Sequence, residues 1–377
     1  MTKVLFDIRP LLEPRRSGVG NYTLGLMRAL LSSAEPGIEF IFAANAAGRH
    51  LPDETTSLVD PQRHTISLTR WPNRLLNAGV ATTGWPRLED LHGDAAAVYL
   101  PNLNFAATRR PLIVTVHDLS FIRRPESFSP RQRLWHAAIR PAALFRRATH
   151  LVAVSEHTKA DLIDLFGLAP EKITVINPGL DAGVRPAAPE VQDSLRNKFG
   201  LSRPYFLYLG NLEPRKNIPS LLSAFEKMPD ATELVIAGGR GWGAEKIFRQ
   251  AAQSPARERI RFLDYVAAAD RAALYSAALA LVYPSFYEGF GLPPLEAMAC
   301  GTPVIVSHAT SLPQTVGAAG LLVDPYDIDS IAEGMKAVLD EPALRARLSA
   351  AGPAQAAKFS WQDSARRLLG VFGQVTK

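Results

Sequence analysis

The chain has almost no cysteine and no long apolar run. Cys300 is the only cysteine among 377 residues, which excludes an internal disulfide and a cysteine-rich metal site. No stretch of about 18 apolar residues is present, so the sequence predicts no membrane-spanning helix. The opening MTKVLFDIRP enters strand-like sequence directly and lacks the regions of a signal peptide. A cytoplasmic location is the simplest interpretation.

A dinucleotide-binding fingerprint is also missing. Neither half of the chain begins with GxGxxG and a following acid, which argues against a nicotinamide-dependent dehydrogenase. The length suits two domains of fewer than about 200 residues each. With 47% hydrophobic and 21% charged residues, the composition is that of a globular protein.

Short apolar runs alternate with helical stretches along both halves of the chain. The predicted strands are residues 4–8, 39–44, 96–100, 112–118, 150–155, 173–177, 205–210, 233–239, 259–266, 280–285 and 302–307. Near-continuous apolar strands between helices predict parallel sheets covered on both faces. The fold class is therefore α/β, with two Rossmann-like, doubly wound parallel-sheet domains facing a cleft. Ligands in such sheets lie beyond the carboxyl ends of the strands.

A proline- and glycine-rich stretch, residues 178–190, is the predicted linker. We predict an N-terminal domain over 1–180 and a second domain over 181–358, both Rossmann-like. Residues 359–377 contain an amphipathic helix, which is expected to pack back on the first domain.

Two loops of the first half follow predicted strands. SGVGNY (17–22) opens a helix, and Gly18 and Gly20 would let backbone amides approach an anion there. The glycines could equally serve only the turn. VTVHDLSF (114–121) ends an apolar strand with His117 and Asp118. A neutral imidazole there can donate and accept hydrogen bonds, although a purely structural histidine is the alternative.

Two loops of the second half carry comparable chemistry. LGNLEPRKN (209–217) places Arg215 and Lys216 just before a helix. Arginine binds phosphate oxygens as a fork and lysine supplies a compact charge, so this loop suits a diphosphate. AGGRGWG (237–243) could line a nucleotide pocket or permit a tight turn.

The stretch FYEGFGLPPLE (286–296) carries two carboxylates around two glycines and two prolines. Prolines suit the first turn of a helix, so Glu296 is predicted near a helix start and Glu288 on the preceding loop. Gly289 and Gly291 would let the backbone approach a ligand. Carboxylates accept hydrogen bonds from sugar and ribose hydroxyls, while the amides at the helix start suit phosphate.

These motifs resemble the retaining, nucleotide-sugar-dependent glycosyltransferases of family GT4, which have the GT-B fold. The resemblance spans nearly the whole chain, because the motifs come in the family's order: SGVGNY, VTVHDL, SEHTKADL, INPGLD, GNLEPRKN, LYSAA, EGFGLPPLEAMACGTPVIVS and GLLVDP. Glu288 to Glu296 is similar to the E-x7-E motif of that family. The chain is thereby expected to be a hexosyltransferase that uses a nucleotide sugar as co-substrate and needs no metal or other cofactor. The resemblance also implies that the domain over 1–180 is the acceptor side and that the domain over 181–358 binds the nucleotide sugar.

The resemblance implies a role for each matching residue. His117 and Glu288 would be the catalytic residues, with His117 at the 6-hydroxyl of the donor sugar and Glu288 on the hexose. Glu296 would hold the ribose, and Arg215 and Lys216 would neutralise the diphosphate. The remaining donor-binding residues would be Gly18, Gly20, Asn211, Phe290, Gly291 and Leu292. Asn211 stands where relatives sometimes carry a basic residue.

Among such transferases, the sequence looks most like those of bacterial surface-polysaccharide and O-antigen assembly. GDP-mannose is the favoured donor, and a glycan or a polyprenyl-diphosphate-linked saccharide is the expected acceptor. A UDP-sugar donor is the main alternative. A nucleotide-sugar epimerase of the same fold is a weaker one. Binding of nucleic acid is not expected, because it would leave the pair of Glu288 and Glu296 without a purpose.

A basic segment, residues 109–147, carries nine arginines and only two acids. Its sequence RQRLWHAAIRPAALFRRA is basic and amphipathic, which suits peripheral attachment to an anionic membrane surface at the inner face of the cytoplasmic membrane. The alternative is a helix that buries its apolar residues in the first domain. Pro141 interrupts the amphipathic pattern and favours that alternative.

Overall fold

The computed structural model describes residues 2–13, 16–33 and 37–376. Met1, Pro14, Arg15, residues 34–36 and Lys377 belong to the predicted ranges 1–180 and 359–377 but lie outside the described residues. By internal contacts the chain forms two compact units. The first unit comprises residues 1–119, 130–179 and 360–377, and the second comprises 120–129 and 180–359.

The first unit contains a parallel sheet of seven strands in its described part. The strands are β1 (Thr2–Asp7), β2 (Ile38–Asn45), β3 (Thr65–Thr69), β4 (Ala97–Leu100), β5 (Leu112–Val116), β6 (His150–Ala153) and β7 (Ile173–Val175). Their order is β3-β2-β1-β4-β5-β6-β7. Strands β4, β5 and β6 are buried throughout, because helices cover the sheet.

Eight helices lie between residues 18 and 166. They are α1 (Gly18–Ser32), α2 (Asp53–Thr56), α3 (Asn73–Thr83), α4 (Leu88–His92), α5 (Ser120–Arg123), α6 (Pro130–Ile139), α7 (Pro141–Arg147) and α8 (Glu156–Phe166). Ser17 caps α1 and Ser155 caps α8, each by accepting a backbone N–H bond. Pro141 ends the helical run of α6, and α7 begins there. Helix α5 groups with the second unit.

The second unit contains a parallel sheet of six strands. The strands are β8 (Tyr205–Leu209), β9 (Glu233–Ala237), β10 (Ile260–Phe262), β11 (Ala280–Tyr283), β12 (Val304–Ser307) and β13 (Gly320–Val323). Their order is β10-β9-β8-β11-β12-β13. The helices of this region are α9 (Pro189–Phe199), α10 (Ile218–Phe225), α11 (Ala244–Gln253), α12 (Ala268–Ser276), α13 (Leu292–Ala299), α14 (Leu312–Val316), α15 (Ile328–Asp340) and α16 (Pro342–Ala356).

The last helix, α17 (Trp361–Val375), belongs to the first unit. It packs on α1, where the Trp361 ring lies edge-on to Tyr22 at 5.5 Å between centroids. Gly25 makes this approach possible, because a Cβ at that position would collide with the indole. Further along, Phe372 packs on Phe40 and Tyr99 of the sheet.

Counted within each unit, the second sheet has the doubly wound strand order 3-2-1-4-5-6, and the first sheet has the same order with a seventh strand added beside the sixth. The α/β class with two parallel-sheet domains is therefore confirmed. Short 3-10 turns complete the elements, over Arg9–Leu12, Pro125–Ser127, Pro170–Lys172, Pro214–Lys216, Arg257–Arg259 and Gly317–Ala319. In each sheet the strand order changes direction between the first and fourth strands, which run parallel to each other, so the switch points lie at β1/β4 and β8/β11.

Strands β3 and β13 are absent from the sequence prediction. Both lie at a sheet edge, and neither reads as a continuous apolar run because part of each strand is exposed. The strand predicted over 259–266 ends early, at Phe262. Asp264 then adopts a left-handed conformation, with φ of 47°, that a regular strand does not accommodate.

Candidate active site

The densest group of buried charges in the second unit lies at its switch point. Strands β8 and β11 pair in parallel, so their carboxyl ends meet at one edge of the sheet. The loop after β8 carries Arg215 and Lys216, and the loop after β11 carries Glu288. Parallel pairing therefore brings together two loops that are more than seventy residues apart in sequence.

Glu288 is held by both cations. Lys216 Nζ donates to Glu288 Oε1 at 2.5 Å, and Arg215 Nη1 donates to Oε2 at 3.2 Å. Arg215 also donates to Glu213 Oε2 at 3.1 Å and to the Tyr287 carbonyl at 3.1 Å. Glu288 is only 5% exposed, so its charge depends on these partners.

The electrostatic balance keeps Glu288 ionised. Burial alone would raise the pKa of Glu288, but the charges of Lys216 and Arg215 outweigh it and hold the pKa below the ordinary value. Burial and the neighbouring Arg215 lower the pKa of Lys216, while Glu288 acts in the opposite direction. The result is a preorganised group in which two cations contact the buried carboxylate of Glu288, while the more exposed Glu213 is a second partner of Arg215.

Two stacked tyrosines, Tyr283 and Tyr208, pack beside this charge cluster. Lys216 Nζ donates to Tyr283 Oη at 2.8 Å and lies 5.1 Å from the centre of that ring. Tyr208 stacks on Tyr283 with centroids 5.6 Å apart. Burial raises the pKa of both phenols well above the ordinary value, and the charge of Glu288 adds to the shift. Both tyrosines therefore stay neutral.

Hydroxyl side chains hold the backbone of the loop that carries Glu288. The Glu288 N–H donates to Thr310 Oγ1 at 3.0 Å, and Ser311 Oγ donates to the Glu288 carbonyl at 2.9 Å. Thr315 Oγ1 donates to the Phe290 carbonyl at 2.5 Å. These three bonds fix the loop from the side of α14, so Glu288 has little freedom to move.

Helix α13 begins directly after this loop. Gly291 has a φ of 104°, which favours glycine, and a Cβ there would come within 2.7 Å of Leu312. Pro293 and Pro294 occupy the first turn of the helix, as predicted. They have no N–H, so the unpaired amides at this end lie mainly at the start of the helix and in the loop before it.

Glu296 lies one turn into α13, partly exposed. Tyr275 Oη donates to Glu296 Oε2 at 2.8 Å. Burial raises the pKa of Glu296 above the ordinary value, and the nearby Arg271 and the bond from Tyr275 oppose that shift. Glu296 thus has a different environment from Glu288, which two cations contact directly.

Asn211 follows the glycine that ends β8, and it is exposed. Its carbonyl accepts a bond from Tyr208 Oη at 3.0 Å. Gly210 and Gly238 come so close that a Cβ at Gly238 would overlap the Gly210 carbonyl. The glycine of the AGGRGWG loop therefore permits a tight crossing of two backbones.

Arg124, from the segment 120–129, lies over two rings beside this loop. Its guanidinium is 5.1 Å from the centre of Phe286 and 5.5 Å from that of Tyr326, within the range of a cation–π contact. The segment comes from the chain between β5 and β6 but groups with the second unit. The predicted domain boundary at residue 180 assigned residues 120–129 to the first domain.

In the first unit, His117 follows β5. Its Nε2 lies 2.8 Å from the Pro101 carbonyl, which only accepts, so Nε2 carries the proton. Burial lowers the pKa of His117, partly offset by this bond and by Asp118. The neutral ring lies edge-on to Tyr22 at 4.7 Å. Its Nδ1 is then an acceptor.

Gly18 and Gly20 lie in the first turn of α1. The Gly20 N–H donates to the capping Ser17 Oγ at 3.3 Å, so that amide already has a partner. A Cβ at Gly20 would lie 3.2 Å from the Pro10 carbonyl, whereas Gly18 has open space around it. Of the two glycines, Gly18 offers the more accessible backbone.

The basic segment 109–147 divides at Pro141. On α6, Leu134 is 72% exposed and Trp135 is 39% exposed. On α7, Leu144 and Phe145 are buried. Burial of apolar residues in the first unit, which was the alternative to membrane attachment, is thus found for α7. Helix α6 instead presents apolar side chains and arginines to solvent.

Among residues 2–13, 16–33 and 37–376, no three histidine, cysteine or acidic side chains cluster as metal ligands would. In that same part of the chain, no helix combines the length and apolar character that a bilayer crossing requires. Metal independence stays a prediction.

Several residues of the site were missed by the sequence analysis. Tyr208 and Tyr283 are ordinary apolar positions within predicted strands, and Tyr275 lies on a predicted helix. Thr310 and Arg124 carry no local signal for their contacts with the loop. A clue existed only for the tyrosines, because buried phenols need a hydrogen-bond partner.

Two family models match the chain. Residues 191–355 match the model described as glycosyl transferases group 1. Residues 16–184 match the model described as glycosyltransferase family 4. The two matches together cover both halves of the chain.

Individual known proteins are similar over nearly the full length. An Escherichia coli O-antigen chain mannosyltransferase B is 31% identical over 386 aligned positions, covering 98% of this chain and 99% of the relative. The structure of sucrose-phosphate synthase from Thermosynechococcus elongatus matches with a TM-score of 0.77 at 21% identity, covering 99% of both chains. Anabaena Alr3699/HepE, solved in complex with UDP-glucose, matches with a TM-score of 0.75 at 20% identity, covering 99% of this chain and 100% of that one.

Proposed function

This chain belongs to the group 1 glycosyltransferases of family 4, and on that premise we propose that it transfers mannose from GDP-mannose. The acceptor is a glycan or a polyprenyl-diphosphate-linked saccharide of O-antigen or related surface-polysaccharide assembly. The name of the full-length Escherichia coli relative supports this choice of sugar and process. The observation that carries the proposal is the buried cluster of Lys216, Arg215 and Glu288 at the switch point of the second sheet.

The two cations are suited to the donor diphosphate. Two of the three Lys216 N–H donors bond to Tyr283 and Glu288 in the described part of the chain, which leaves one for a ligand oxygen. Arg215 is anchored by Glu213 and Glu288, so its guanidinium needs little reorganisation when an anion arrives. Preorganised cations of this kind stabilise negative charge that develops during bond cleavage.

The loop at residues 290–292 is proposed to contact the sugar and the diphosphate through its amides. Phe290 and Gly291 are buried, and the start of α13 follows at Leu292. Because the next two residues are prolines, the amides before them are the ones available at this helix start. Helix starts favour negative charge, which agrees with a phosphate at this position.

Glu288 and Glu296 serve different parts of the donor in this proposal. A carboxylate has about four acceptor sites, and the two cations leave Glu288 with capacity for a hexose hydroxyl. Glu296 is partly exposed and held by Tyr275, which suits a ribose hydroxyl. Asn211, exposed on the loop after β8, completes the proposed donor-binding residues of the second unit.

The proposed reaction breaks the bond between the anomeric carbon and the phosphate oxygen. The electron pair leaves with the diphosphate, whose charge the cations compensate, and the anomeric centre gains oxocarbenium character. The acceptor hydroxyl attacks from the same face, and its proton passes to the leaving phosphate. Configuration is thereby retained without a metal ion or other cofactor.

The first-unit residues keep the roles that the family resemblance implies. His117 is neutral and presents an acceptor at Nδ1, which suits a donor-sugar hydroxyl. Gly18 has open space around its backbone and Gly20 is capped, so Gly18 is the stronger candidate for a ligand contact. These assignments are part of the proposal.

A UDP-sugar donor is the second candidate. One observation favours it, because a structure with the same fold was solved with UDP-glucose. At 20% identity that likeness concerns the fold alone. Nothing in the described residues favours an epimerase.

A nucleotide-sugar panel tests the proposal. The full chain is incubated separately with GDP- and UDP-sugars and a mixture of polyprenyl-diphosphate-linked saccharides, and products are read by mass spectrometry. We expect a hexose added only with GDP-mannose, and an α-linked product by NMR from the α-linked donor. Product from a UDP-sugar alone would overturn the donor, and an inverted anomer would overturn the mechanism.

We also propose that α6 attaches the enzyme peripherally to the cytoplasmic face of the membrane. Leu134 and Trp135 are exposed there, and none of the segment's arginines at 131, 133, 140, 146 and 147 has a carboxylate partner within the described chain. Leu134→Asp should reduce co-sedimentation with phosphatidylglycerol vesicles. Val191→Asp, a change at a similarly exposed apolar residue of the second unit, is the control. Equal sedimentation of all three proteins would defeat the attachment.

A further inference from the structure

The second unit has a large pocket at the amino-terminal ends of its strands, whereas Glu288 follows a carboxyl end. Its lining includes Pro204, Leu279 and Pro303, each of which directly precedes a strand of the parallel sheet. The charge cluster of the proposed donor site follows the other ends of two of these strands. The pocket volume is about 470 Å³, within the range of about 300–1,000 Å³ that small-molecule sites occupy.

Two helices supply the polar side of the pocket. Helix α9 contributes Gln192 and Arg196, and α16 contributes Arg345 and Ser349. Each pair is spaced by four residues, so both members lie on the same face of their helix. The pocket thus receives an arginine and an amide from α9, and an arginine and a hydroxyl from α16.

Both arginines are held in place by backbone carbonyls. Arg196 Nη2 donates to the Ala277 carbonyl at 2.8 Å. Arg345 Nη1 donates to the carbonyls of Val338 and Leu339 at 3.1 and 3.2 Å. A guanidinium has five N–H donors, so each arginine retains donors for a ligand.

The pocket carries positive charge without a compensating acid. All of its lining residues are described, and none of them is aspartate or glutamate. Within the described chain, neither Arg196 nor Arg345 has a carboxylate within ion-pair distance. Both arginines are partly buried, which makes their charge less screened than that of a fully solvated arginine.

We propose that this pocket binds a small phosphate-bearing molecule at a site separate from the donor site. Arginine forks match the geometry of phosphate oxygens, and the pocket lining supplies two of them, one from each helix. Gln192 and Ser349 provide further polar contacts for the rest of the ligand. The inference does not rest on the identity of the donor or the acceptor.

A charge placed inside the pocket provides the sharpest test. Ala346 is exposed and lines the pocket, so Ala346→Glu adds a tethered carboxylate without removing a hydrogen bond of the wild type. Ala354→Glu is the matched control, because Ala354 is exposed on the same helix and does not line the pocket. Circular dichroism and thermal melting verify that both variants fold, and the same check is made on every other variant compared with them.

Pyrophosphate binding to the full chain is measured by titration calorimetry at constant ionic strength. We expect Ala346→Glu to weaken one class of sites at least tenfold, and Ala354→Glu to leave it unchanged. Lys216→Met removes the proposed donor-side cation, so pyrophosphate binding that survives Lys216→Met and is lost in Ala346→Glu supports the pocket.

Binding that Lys216→Met abolishes and Ala346→Glu leaves unchanged would overturn the inference. Arg345→Lys provides a second variant, since it keeps the charge but loses the fork. It should weaken binding less than Ala346→Glu does. If Ala346→Glu and Ala354→Glu weaken binding equally, the effect is one of general charge, and the inference also fails.

Discussion

The two sheets share a strand order and a switch point, yet they place different chemistry there. Beyond β8 and β11, two cations surround a buried carboxylate. In the first unit, buried Asp7 at the end of β1 pairs with Arg9 at 2.8 Å, and the neutral ring of His117 bonds to the Pro101 carbonyl beyond β5. The same architecture therefore carries two cations around one buried carboxylate in one unit, and a single ion pair with a neutral imidazole in the other.

The contrast teaches what each unit can bind. Buried charges persist only where partners compensate them, and the second unit provides such partners for Glu288. A diphosphate is the ligand that we propose for that charged cluster. A sugar hydroxyl is the ligand that we propose for the neutral His117 of the first unit. We therefore expect variants in the second unit to have the larger effects.

Breaking the buried pair should have the largest effect. Lys216→Met leaves Glu288 with one cation and removes the donor to Tyr283, so we expect the free energy of unfolding of the second unit to fall by about 3–5 kcal/mol. Urea denaturation followed by hydrogen exchange of β8 and β11 measures it.

An exposed ion pair provides the control for that variant. Lys227 pairs with Asp329, and both side chains are largely exposed, so Lys227→Met should cost about 0–1 kcal/mol. If both variants lost the same free energy of unfolding, burial of the Lys216–Glu288 pair would make no contribution to stability.

Glu288→Gln should have the next largest effect, on turnover. It keeps the shape but removes the charge opposite Lys216 and Arg215, and we expect transfer to slow by about 10- to 150-fold, corresponding to about 1.5–3 kcal/mol. Glu213→Gln is the matched control, because Glu213 also contacts Arg215 but is less buried. Full activity of Glu288→Gln would refute the role of that residue.

The pH dependence of stability should reveal the same carboxylate. The pKa of Glu288 in the folded protein lies below its ordinary value of 4.5. Ionised Glu288 therefore adds to the free energy of unfolding above pH 4.5, and this contribution is lost as the pH falls through the folded pKa. Wild-type stability should thus decline more steeply below pH 4.5 than that of Glu288→Gln, as measured by urea denaturation. If the free energy of unfolding of the two proteins fell in parallel with pH, this expectation would be contradicted.

Tyr275→Phe should have a moderate effect, on nucleotide binding. The lost bond to Glu296 favours the ionised carboxyl, so its removal should raise the pKa of Glu296 further and weaken GDP binding by about tenfold. Calorimetry across acidic and neutral pH measures this. Tyr205→Phe is the control, since Tyr205 bonds to the Leu274 carbonyl instead; the same loss in both would remove the special role of Tyr275.

His117 of the first unit should give the smallest effect. The pKa of His117 is lowered by burial, so the unfolded chain takes up a proton first as the pH falls below about 6.5. Wild-type stability should therefore decrease from that pH towards the folded pKa, by less than about 1.4 kcal/mol per pH unit. The free energy of unfolding of His117→Asn, measured by urea denaturation, should decrease less steeply over the same pH range. Identical slopes in the two proteins would mean that His117 is not protected from protonation.

Much of the fold followed from local patterns. Buried strands such as β5 and β8 are apolar throughout, and prolines mark the start of α13. The edge strands β3 and β13 were missed because an edge strand needs less burial and leaves a weaker pattern. The segment 120–129 was missed because nothing in its local sequence indicates which unit it contacts.

The candidate site was only partly predictable for a related reason. Arg215 and Lys216 were predicted as loop cations that suit a diphosphate, and Glu288 as a carboxylate on another loop that suits sugar hydroxyls. Their mutual pairing, by contrast, spans more than seventy residues and depends on β8 lying beside β11. The hydroxyl of Tyr275 likewise reaches Glu296 only after α12 packs near α13.

By itself, the sequence determined the alternation of strands and helices and the residue types at the carboxyl ends of the strands. These are local properties, since periodicity, prolines and glycines act within a few residues. Tertiary structure alone decided that Lys216 neutralises Glu288, that Arg124 joins the second unit and that Arg196 and Arg345 face one pocket. Those pairings arise from packing between distant segments, which no local pattern specifies.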